Sequence, residues 1–138
     1  MRVCLDTNVL ASAIATRGLC ADVLHVILAE HELVVGEKVL AELNRVLVRK
    51  FGASRELATE TDKFLREEGE VIGEAPRLQV SIRDPDDVTV LEQAVAGSAD
   101  VLVTGDRDLL EMTSAVSIRI LSPRAFWDLL REAAPEEE

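Results

Sequence analysis

Residues 2–8 read Arg-Val-Cys-Leu-Asp-Thr-Asn, and this stretch indicates both the fold and the place of a functional site. Its apolar run from Val3 to Leu5 is too short for a helix and predicts a buried β-strand. The run ends abruptly at Asp6. In open parallel sheets, ligands bind just beyond the carboxyl ends of the strands, so Asp6 is a candidate functional acid. The alternative is that Asp6 only caps the helix that follows, as aspartates often do.

The composition is typical of a globular protein with one hydrophobic core. The chain has 138 residues, of which 48% are hydrophobic, so we expect a single domain over residues 1–134. No apolar run approaches the roughly 20 residues needed to cross a membrane, and the start lacks a signal-peptide pattern. We therefore expect a cytoplasmic protein without a membrane partner. Cys4 and Cys20 are predicted to be reduced thiols, and residues 135–138 a disordered acidic tail.

The formal net charge of −11 argues against tight, non-specific binding to nucleic acid, because phosphate binding needs cations. Three of the negative charges belong to the predicted tail, and four belong to the candidate metal ligands described below. Without these seven acids the formal charge falls to −4. A body of that charge can still bind phosphates through divalent ions and a few local arginines.

Strand and helix patterns alternate along the chain, which predicts a parallel sheet covered by helices on both faces. The predicted strands lie at residues 3–5, 31–35, 78–82, 100–104 and 116–121, the third of them as a candidate edge strand. Helices are predicted at residues 7–15, 21–30, 37–51, 54–68 and 85–96, with short and final helices after residues 108 and 122. Residues 69–76 are interpreted as a loop or weak strand.

The helix predicted at residues 37–51 carries an acid at the margin of its apolar stripe. At about 100° per residue, Glu42 lies roughly 40° from Val46 and about 60° from Val39, a direction that faces a cleft beside the core. The alternative is a solvated side chain paired with Arg45. Arg45 and Arg49 follow on the same helix and could reach a phosphate nearby.

Residues 83–87, Arg-Asp-Pro-Asp-Asp, open the next predicted helix. Asp84 suits the N-cap, and Asp86 and Asp87 favour the positive end of the helix dipole, so capping explains at least two of the three acids. Three acids around one helix start exceed what capping needs, because they repel one another. A bound cation would relieve that cost.

Residues 104–108, Thr-Gly-Asp-Arg-Asp, follow the fourth predicted strand. Gly105 permits a tight turn, and Asp106, like Asp6, stands just beyond the end of a strand. If the two strands are neighbours, their backbones are only about 4.8 Å apart. The two acids would then lie at the same edge of the sheet.

Four carboxylates gathered at one sheet edge cannot all be ionised without a counter-charge. Oxygen-only ligands, without paired Cys or His, select hard ions such as Mg²⁺ or Mn²⁺. This is the outline of metal-assisted phosphodiester hydrolysis, in which one ion lowers the pKa of an attacking water and a second stabilises the leaving oxygen. Since no side chain is an obvious general base, metal-activated water is the predicted nucleophile.

At these residues the chain resembles PIN-domain proteins, of the VapC-like sort found as the ribonuclease toxin in bacterial and archaeal toxin–antitoxin pairs. The resemblance covers nearly the whole chain. It rests on Asp6-Thr7-Asn8, on Glu42, on the run at residues 84–87 and on residues 104–109. The last run is the most specific, and its combination with the first carries the resemblance.

The resemblance implies a three-layer α/β/α sandwich with a mainly parallel sheet of about five strands. It also implies cleavage of single-stranded or structured RNA with one or two Mg²⁺ or Mn²⁺ ions, a cognate antitoxin protein, and a homodimer. The implied catalytic and metal-binding acids are Asp6, Glu42, Asp87 and Asp106. For the third of these acids, Asp84 and Asp86 remain alternatives to Asp87.

Other residues of the same motifs are implied to support the acids or the substrate. The residues that would hold ligands or water by hydrogen bonds are Thr7, Asn8, Thr104, Asp84 and Asp108, although Asp108 could also simply begin a helix. The candidate phosphate contacts are Arg45, Arg83 and Arg107.

Two other classes of protein are alternatives to a nuclease. Mg²⁺-dependent phosphatases and phosphotransfer domains also place an Asp after a first strand. The haloacid-dehalogenase-like phosphatases require a second Asp at the position of Asn8. Both these phosphatases and the phosphotransfer domains use a lysine late in the chain, whereas no lysine follows residue 63. A non-catalytic RNA- or protein-binding PIN-like module is the second alternative. An unused cluster of like charges would cost stability, which counts against it.

Overall fold

In the computed structural model, which describes residues 1–80, 82–114 and 116–133, five parallel strands form one sheet between two layers of helices. The strands are β1 (Arg2–Leu5), β2 (Glu32–Gly36), β3 (Glu70–Ile72), β4 (Val101–Val103) and β5 (Arg119–Leu121). The helices are α1 (Thr7–Ala15), α2 (Leu19–Glu30), α3 (Glu37–Arg49), α4 (Arg55–Glu68), α5 (Pro85–Ala96), α6 (Arg107–Leu110) and α7 (Pro123–Ala133), with a 3₁₀ helix at Glu111–Ser114. The predicted α/β/α fold class is confirmed.

The first strand lies at the centre of the sheet, whose strand order is β3-β2-β1-β4-β5. Cys4 is paired with Val34 on one side and with Leu102 on the other, so β1 is buried by both neighbours. Beyond the end of β1, the Asp6 N–H donates to the Val103 carbonyl at 3.0 Å. The carboxyl ends of β1 and β4 therefore lie side by side, as the site hypothesis requires.

The prediction of a strand at residues 78–82 is wrong. The edge strand is β3, in which Val71 pairs with Val35, and residues 73–80 and 82–84 contain no strand. The backbone N–H of Leu78 instead donates to the Glu92 carboxylate on α5 at 2.7 Å. The Leu78 N–H is therefore bonded to a side chain and not to the backbone carbonyl of a neighbouring strand. The last strand is also shorter than predicted, and the predicted tail at residues 135–138 lies outside the described residues.

The core is built mainly from Leu, Val and Ala on the sheet and on the inner faces of the helices. Val39, Leu40, Leu43 and Leu47 form the buried stripe of α3, which fixes this helix against the sheet beside α1. In the described ranges no single helix is long and apolar enough to cross a membrane. The pair α1 and α2 would satisfy length and composition together, but the two helices are bent by 98°.

A glycine at the junction of β2 and α3 makes room for a buried amide. A Cβ at Gly36 would collide with the side-chain amide of Gln93. Gln93 Oε1 accepts from the Lys38 N–H at 3.0 Å, and its Nε2 donates to the Gly73 carbonyl at 2.9 Å. Gln93 therefore ties the start of α3 to the segment after β3 and positions the first turn of α3.

Candidate metal centre

Asp6 is held rigidly at the carboxyl end of β1. It is only 8% exposed; its Oδ1 accepts from the Thr7 N–H at 2.7 Å and its Oδ2 from Thr104 Oγ1 at 2.8 Å. Burial raises the pKa of Asp6, and the hydrogen bond from Thr104 opposes that rise. Asp6 is the N-cap of α1, as the alternative predicted, and it also lies among the other acids. Capping and a functional role are therefore compatible here.

Asp106 follows β4 and is connected to Asp6 through a threonine. The Asp106 N–H donates to Thr104 Oγ1 at 3.0 Å, the same hydroxyl that donates to Asp6. Asp106 Oδ1 caps α6 by accepting from the N–H groups of Asp108 at 2.8 Å and Leu109 at 3.2 Å. Among the described residues no donor bonds the second oxygen, Oδ2, which leaves it for a ligand.

A third segment brings Asp87, in the first turn of α5, close to the acids after β4. One carboxylate oxygen each from Asp87, Asp106 and Asp108 lies within 4.8 Å of the other two. Burial first, and then the charges of Asp106, Asp84 and Asp6, together raise the pKa of Asp87 to about 6. Such mutual repulsion is what a bound cation would relieve.

The three acids at the start of α5 have different partners. Asp84 Oδ1 accepts from the Asp86 N–H at 2.9 Å and caps the helix. Asp86 pairs with Lys38 Nζ at 2.8 Å. Asp87 is the acid of the three that lies with Asp106, and this placement favours it as the third acid. Asp108, predicted to assist or to begin a helix, lies in the same group of three.

The change of Asp87 to Asn is expected to stabilise the metal-free protein at pH 7.5. The native state keeps a proton on Asp87 where the unfolded chain has lost it, so the free energy of unfolding falls as the pH rises from about 4 to about 6. The shift corresponds to at most about 3 kcal/mol, and screening at this half-buried site reduces the expected gain to about 1 kcal/mol. Urea unfolding in chelator at several pH values measures it.

The gain should disappear below about pH 4, where Asp87 is protonated in both states. The exposed Asp128→Asn change on α7 is the matched control and should show no such pH dependence. A gain from Asp87→Asn that is the same at pH 4 and pH 7.5 would contradict the assigned cause.

Glu42 reaches the site from α3, and one of its oxygens lacks a donor. Oε2 accepts from Thr7 Oγ1 at 3.1 Å, whereas Oε1 is buried without a hydrogen-bond partner among the described residues. The contact of Oε1 is an ion pair with Lys38 Nζ at 3.4 Å, and the alternative pair of Glu42 with Arg45 is not formed. Buried carboxylate oxygens normally have a partner, so this atom fits a cation ligand.

Lys38 is the residue of this site that the sequence analysis missed. Its ammonium group lies between Glu42 on α3 and Asp86 on α5, and Asp86 is the main cause of its raised pKa. The four-residue spacing of Lys38 and Glu42 on one helix could have indicated the first contact. The second contact joins distant parts of the chain and has no local signal.

The change of Lys38 to Met should lower the free energy of unfolding in chelator by about 0.5–1 kcal/mol, since Glu42 loses its counter-charge. Saturating Mn²⁺ should then stabilise the variant by more than it stabilises the wild type, because the ion replaces the lost charge. Thermal unfolding with and without Mn²⁺ measures both effects. The exposed Lys63→Met change is the control. If Mn²⁺ stabilises Lys38→Met only as much as it stabilises the wild type, the role of Lys38 is refuted.

The remaining predicted residues lie around the acids. Arg45, Arg83 and Arg107 are exposed, and none forms an ion pair within the described ranges, so their phosphate contacts stay predictions. Asn8 is also exposed, and its Oδ1 lies 3.4 Å from Lys50 Nζ. Thr7 and Thr104 make the hydrogen bonds to acids that were predicted for them.

The described geometry is that of an acidic centre at the carboxyl edge of a parallel sheet, and comparison with known proteins identifies the class. A family model for the PIN domain matches residues 2–108, a range that contains every acid of the centre. The chain belongs to the PIN-domain family. Together with the acidic cluster, this membership supports a nuclease. No curated protein sequence matches the chain.

Solved structures share the fold at low sequence identity. VapBC2 from Rickettsia felis, bound to a DNA fragment from its promoter, is 19% identical with a TM-score of 0.60, over 88% of this chain and 98% of that one. VapBC-1 from nontypeable Haemophilus influenzae is 19% identical with a TM-score of 0.61, over 90% and 99%. PAE2754 from Pyrobaculum aerophilum is 20% identical with a TM-score of 0.59, over 98% and 91%.

Proposed function

We propose that the protein is a metal-dependent endoribonuclease that hydrolyses phosphodiester bonds of single-stranded or structured RNA. The observation that carries the proposal is the convergence of acids from four segments, with Glu42 Oε1 buried, without a hydrogen bond, and contacted by Lys38 Nζ at 3.4 Å. Membership of the PIN-domain family favours a nuclease over the phosphatase alternative.

The donor set fits Mg²⁺ or Mn²⁺. The groups offered are carboxylate oxygens, which hard divalent ions prefer, and no Cys or His belongs to the cluster of described residues. The side chains that would hold one or two ions are Asp6, Glu42, Asp87 and Asp106, with Asp108 beside them. When bound, such an ion activates a water molecule and neutralises charge on the phosphate.

The protein's own contribution is to position these groups before substrate arrives. Thr104 fixes one oxygen of Asp6 and accepts from the Asp106 N–H, which couples the two acids after β1 and β4. Thr7 holds Glu42 in the same way from the start of α1. Hydrogen bonds of this kind set the direction of the carboxylate oxygens and raise metal affinity.

The test is cleavage of single-stranded RNA by the purified protein with Mn²⁺, with Mg²⁺ and with chelator. We expect cleavage with either metal and none with chelator. Cleavage that continues in chelator would overturn the metal requirement. No cleavage of RNA with either metal would favour the non-catalytic binding module.

We further propose that the protein is the toxin of a toxin–antitoxin pair, that it acts in the cytoplasm, and that it forms a homodimer. The support is the likeness of fold to the two VapBC structures. Co-expression with the proposed antitoxin, sought as a small protein encoded beside this one, should give a stable complex and should suppress RNA cleavage. A cleavage rate that is unchanged by this neighbour would contradict the pairing.

A further inference from the structure

A groove of about 450 Å³ on the outer side of α3 and α4 concentrates positive charge in an acidic protein. Three arginines line it, and no acid is among its described lining residues. The lining is Asn44, Arg45, Val48, Arg49, Arg55 and Thr59, and we call it the arginine groove. A concave surface of this charge, on a chain whose formal net charge is −11, indicates an anionic ligand.

The three guanidinium groups have no partner of opposite charge in the part of the chain that the structure describes. All three residues are exposed. Arg55 also occupies the first turn of α4, where a positive charge opposes the helix dipole. An anion in the groove would supply the missing counter-charge and relieve the unfavourable position of Arg55.

Two of the groove's arginines lie on α3, the helix that carries Glu42. Arg45 and Arg49 follow Glu42 on α3 and lie about 60° and about 20° around the helix from it, and Arg49 is about 10 Å further along the axis. Lys50 then places its Nζ 3.4 Å from Asn8 Oδ1, at the start of α1. Arg45 and Arg49 therefore lie on the side of α3 that carries Glu42, and Lys50 lies on the side that faces α1.

We propose that the arginine groove binds the backbone phosphates of the RNA strand beyond the bond that is cut. This inference rests on the proposed ribonuclease function and names the path of its substrate. Guanidinium groups bind phosphate oxygens in pairs of parallel hydrogen bonds, independently of the base. The placement of Arg45 and Arg49 on the Glu42 side of α3 favours a nucleic-acid strand over an acidic segment of a partner protein.

The experiment measures RNA binding in the Asp6→Asn background, which leaves the strand uncut. The combined change R45Q/R49Q/R55Q is compared with R17Q/R119Q/R131Q, three exposed arginines outside the groove that give the same change of charge. Fluorescence anisotropy with a labelled oligouridine gives the affinity at several salt concentrations. Circular dichroism verifies that both variants are folded.

The groove variant should bind RNA at least about tenfold more weakly, and the slope of log K against log salt should become less steep by about 2, since each phosphate contact on a single strand contributes about 0.7. The control variant should keep most of the affinity and the slope. Equal losses in both variants, or no loss in either, would overturn the groove proposal. Wild-type cleavage of the same RNA would show that the ribonuclease function survives that result.

Two other outcomes would also overturn the proposal. If the Asp6→Asn protein does not bind RNA and the wild type does not cut it, the ribonuclease function fails and the groove proposal fails with it. If the groove variant binds a polyglutamate peptide more weakly than its parent protein does, while RNA binding is unchanged, the groove binds an acidic protein segment instead.

Discussion

Replacing Asp6 by Asn should reduce cleavage of single-stranded RNA by at least about 1000-fold, equivalent to about 4 kcal/mol of transition-state stabilisation. Asp6 lies where β1 and β4 end side by side, and the charges of Asp106 and Glu42 act on it. A neutral amide removes one of the charged oxygen ligands from the middle of the cluster. Metal affinity and orientation of the phosphate should therefore fall together.

The fold should survive this change, because the amide has the same shape. Its oxygen can accept from the Thr7 N–H, and its NH₂ group can donate to Thr104 Oγ1. Since burial disfavours the charged carboxylate, the variant should be at least as stable as the wild type in chelator. Initial rates with Mn²⁺ and thermal unfolding measure the two effects.

The exposed Asp128→Asn change on α7 is the matched control for the loss of one charge. It should leave the cleavage rate within about twofold of the wild type. A similar rate in Asp6→Asn and Asp128→Asn would show that the acids after β1 do not take part in cleavage. The thermal unfolding curves show whether a loss of activity in Asp6→Asn is accompanied by a loss of the native fold.

The change of Gly36 to Ala should destabilise the protein by about 2–3 kcal/mol, the range for overpacking combined with a lost buried hydrogen bond. The new methyl group would occupy the position of the Gln93 amide, which is 7% exposed. Gln93 would have to give up its bonds to the Lys38 N–H and to the Gly73 carbonyl. The buried amide of Gln93 would then have lost both of these partners.

Urea unfolding measures this loss, and Gly73→Ala is the control because a methyl group there meets open space. The control should change the free energy of unfolding by less than about 1 kcal/mol. Equal stability of Gly36→Ala and the wild type would refute the role assigned to Gln93.

The central features of the fold and site were predictable because their signals are local. The apolar run Val3–Leu5 has no other way to be buried than as a strand between neighbours, and the acid that follows it must lie at the strand's end. The same reasoning applied to Asp106 after β4. Two such acids met because β1 and β4 are adjacent and parallel.

The edge of the sheet was not predictable from local pattern, since two short stretches compete for one side of β2. Residues 78–82 have the clearer alternation, yet β3 forms at Glu70–Ile72, directly after the C-cap Gly69 of α4. A three-residue strand is too short to show alternation. In the segment at residues 78–82, the Leu78 N–H instead donates to the Glu92 carboxylate, a contact that has no signal in the local sequence.

The choice among the acids of residues 84–87 also depended on a long-range contact. The spacing to Leu91 and Ala94 predicts Asp87, but all three acids stand within one turn, so Asp84 and Asp86 remain alternatives at the level of sequence. Lys38, far away in sequence, pairs with Asp86, while Asp84 caps α5. Asp87 is left to face Asp106, and that separation of roles comes from the packing of α3 against α5.

The most direct test of the metal centre is calorimetric titration of Mn²⁺ into the wild type and into the double variant Asp6→Asn/Asp106→Asn. The wild type should bind one or two ions with a saturable heat, and the double variant should lose at least about 100-fold in affinity, because two charged ligands are removed. Equal binding by the two proteins, or no binding by the wild type, would contradict the assignment of these acids as a metal centre.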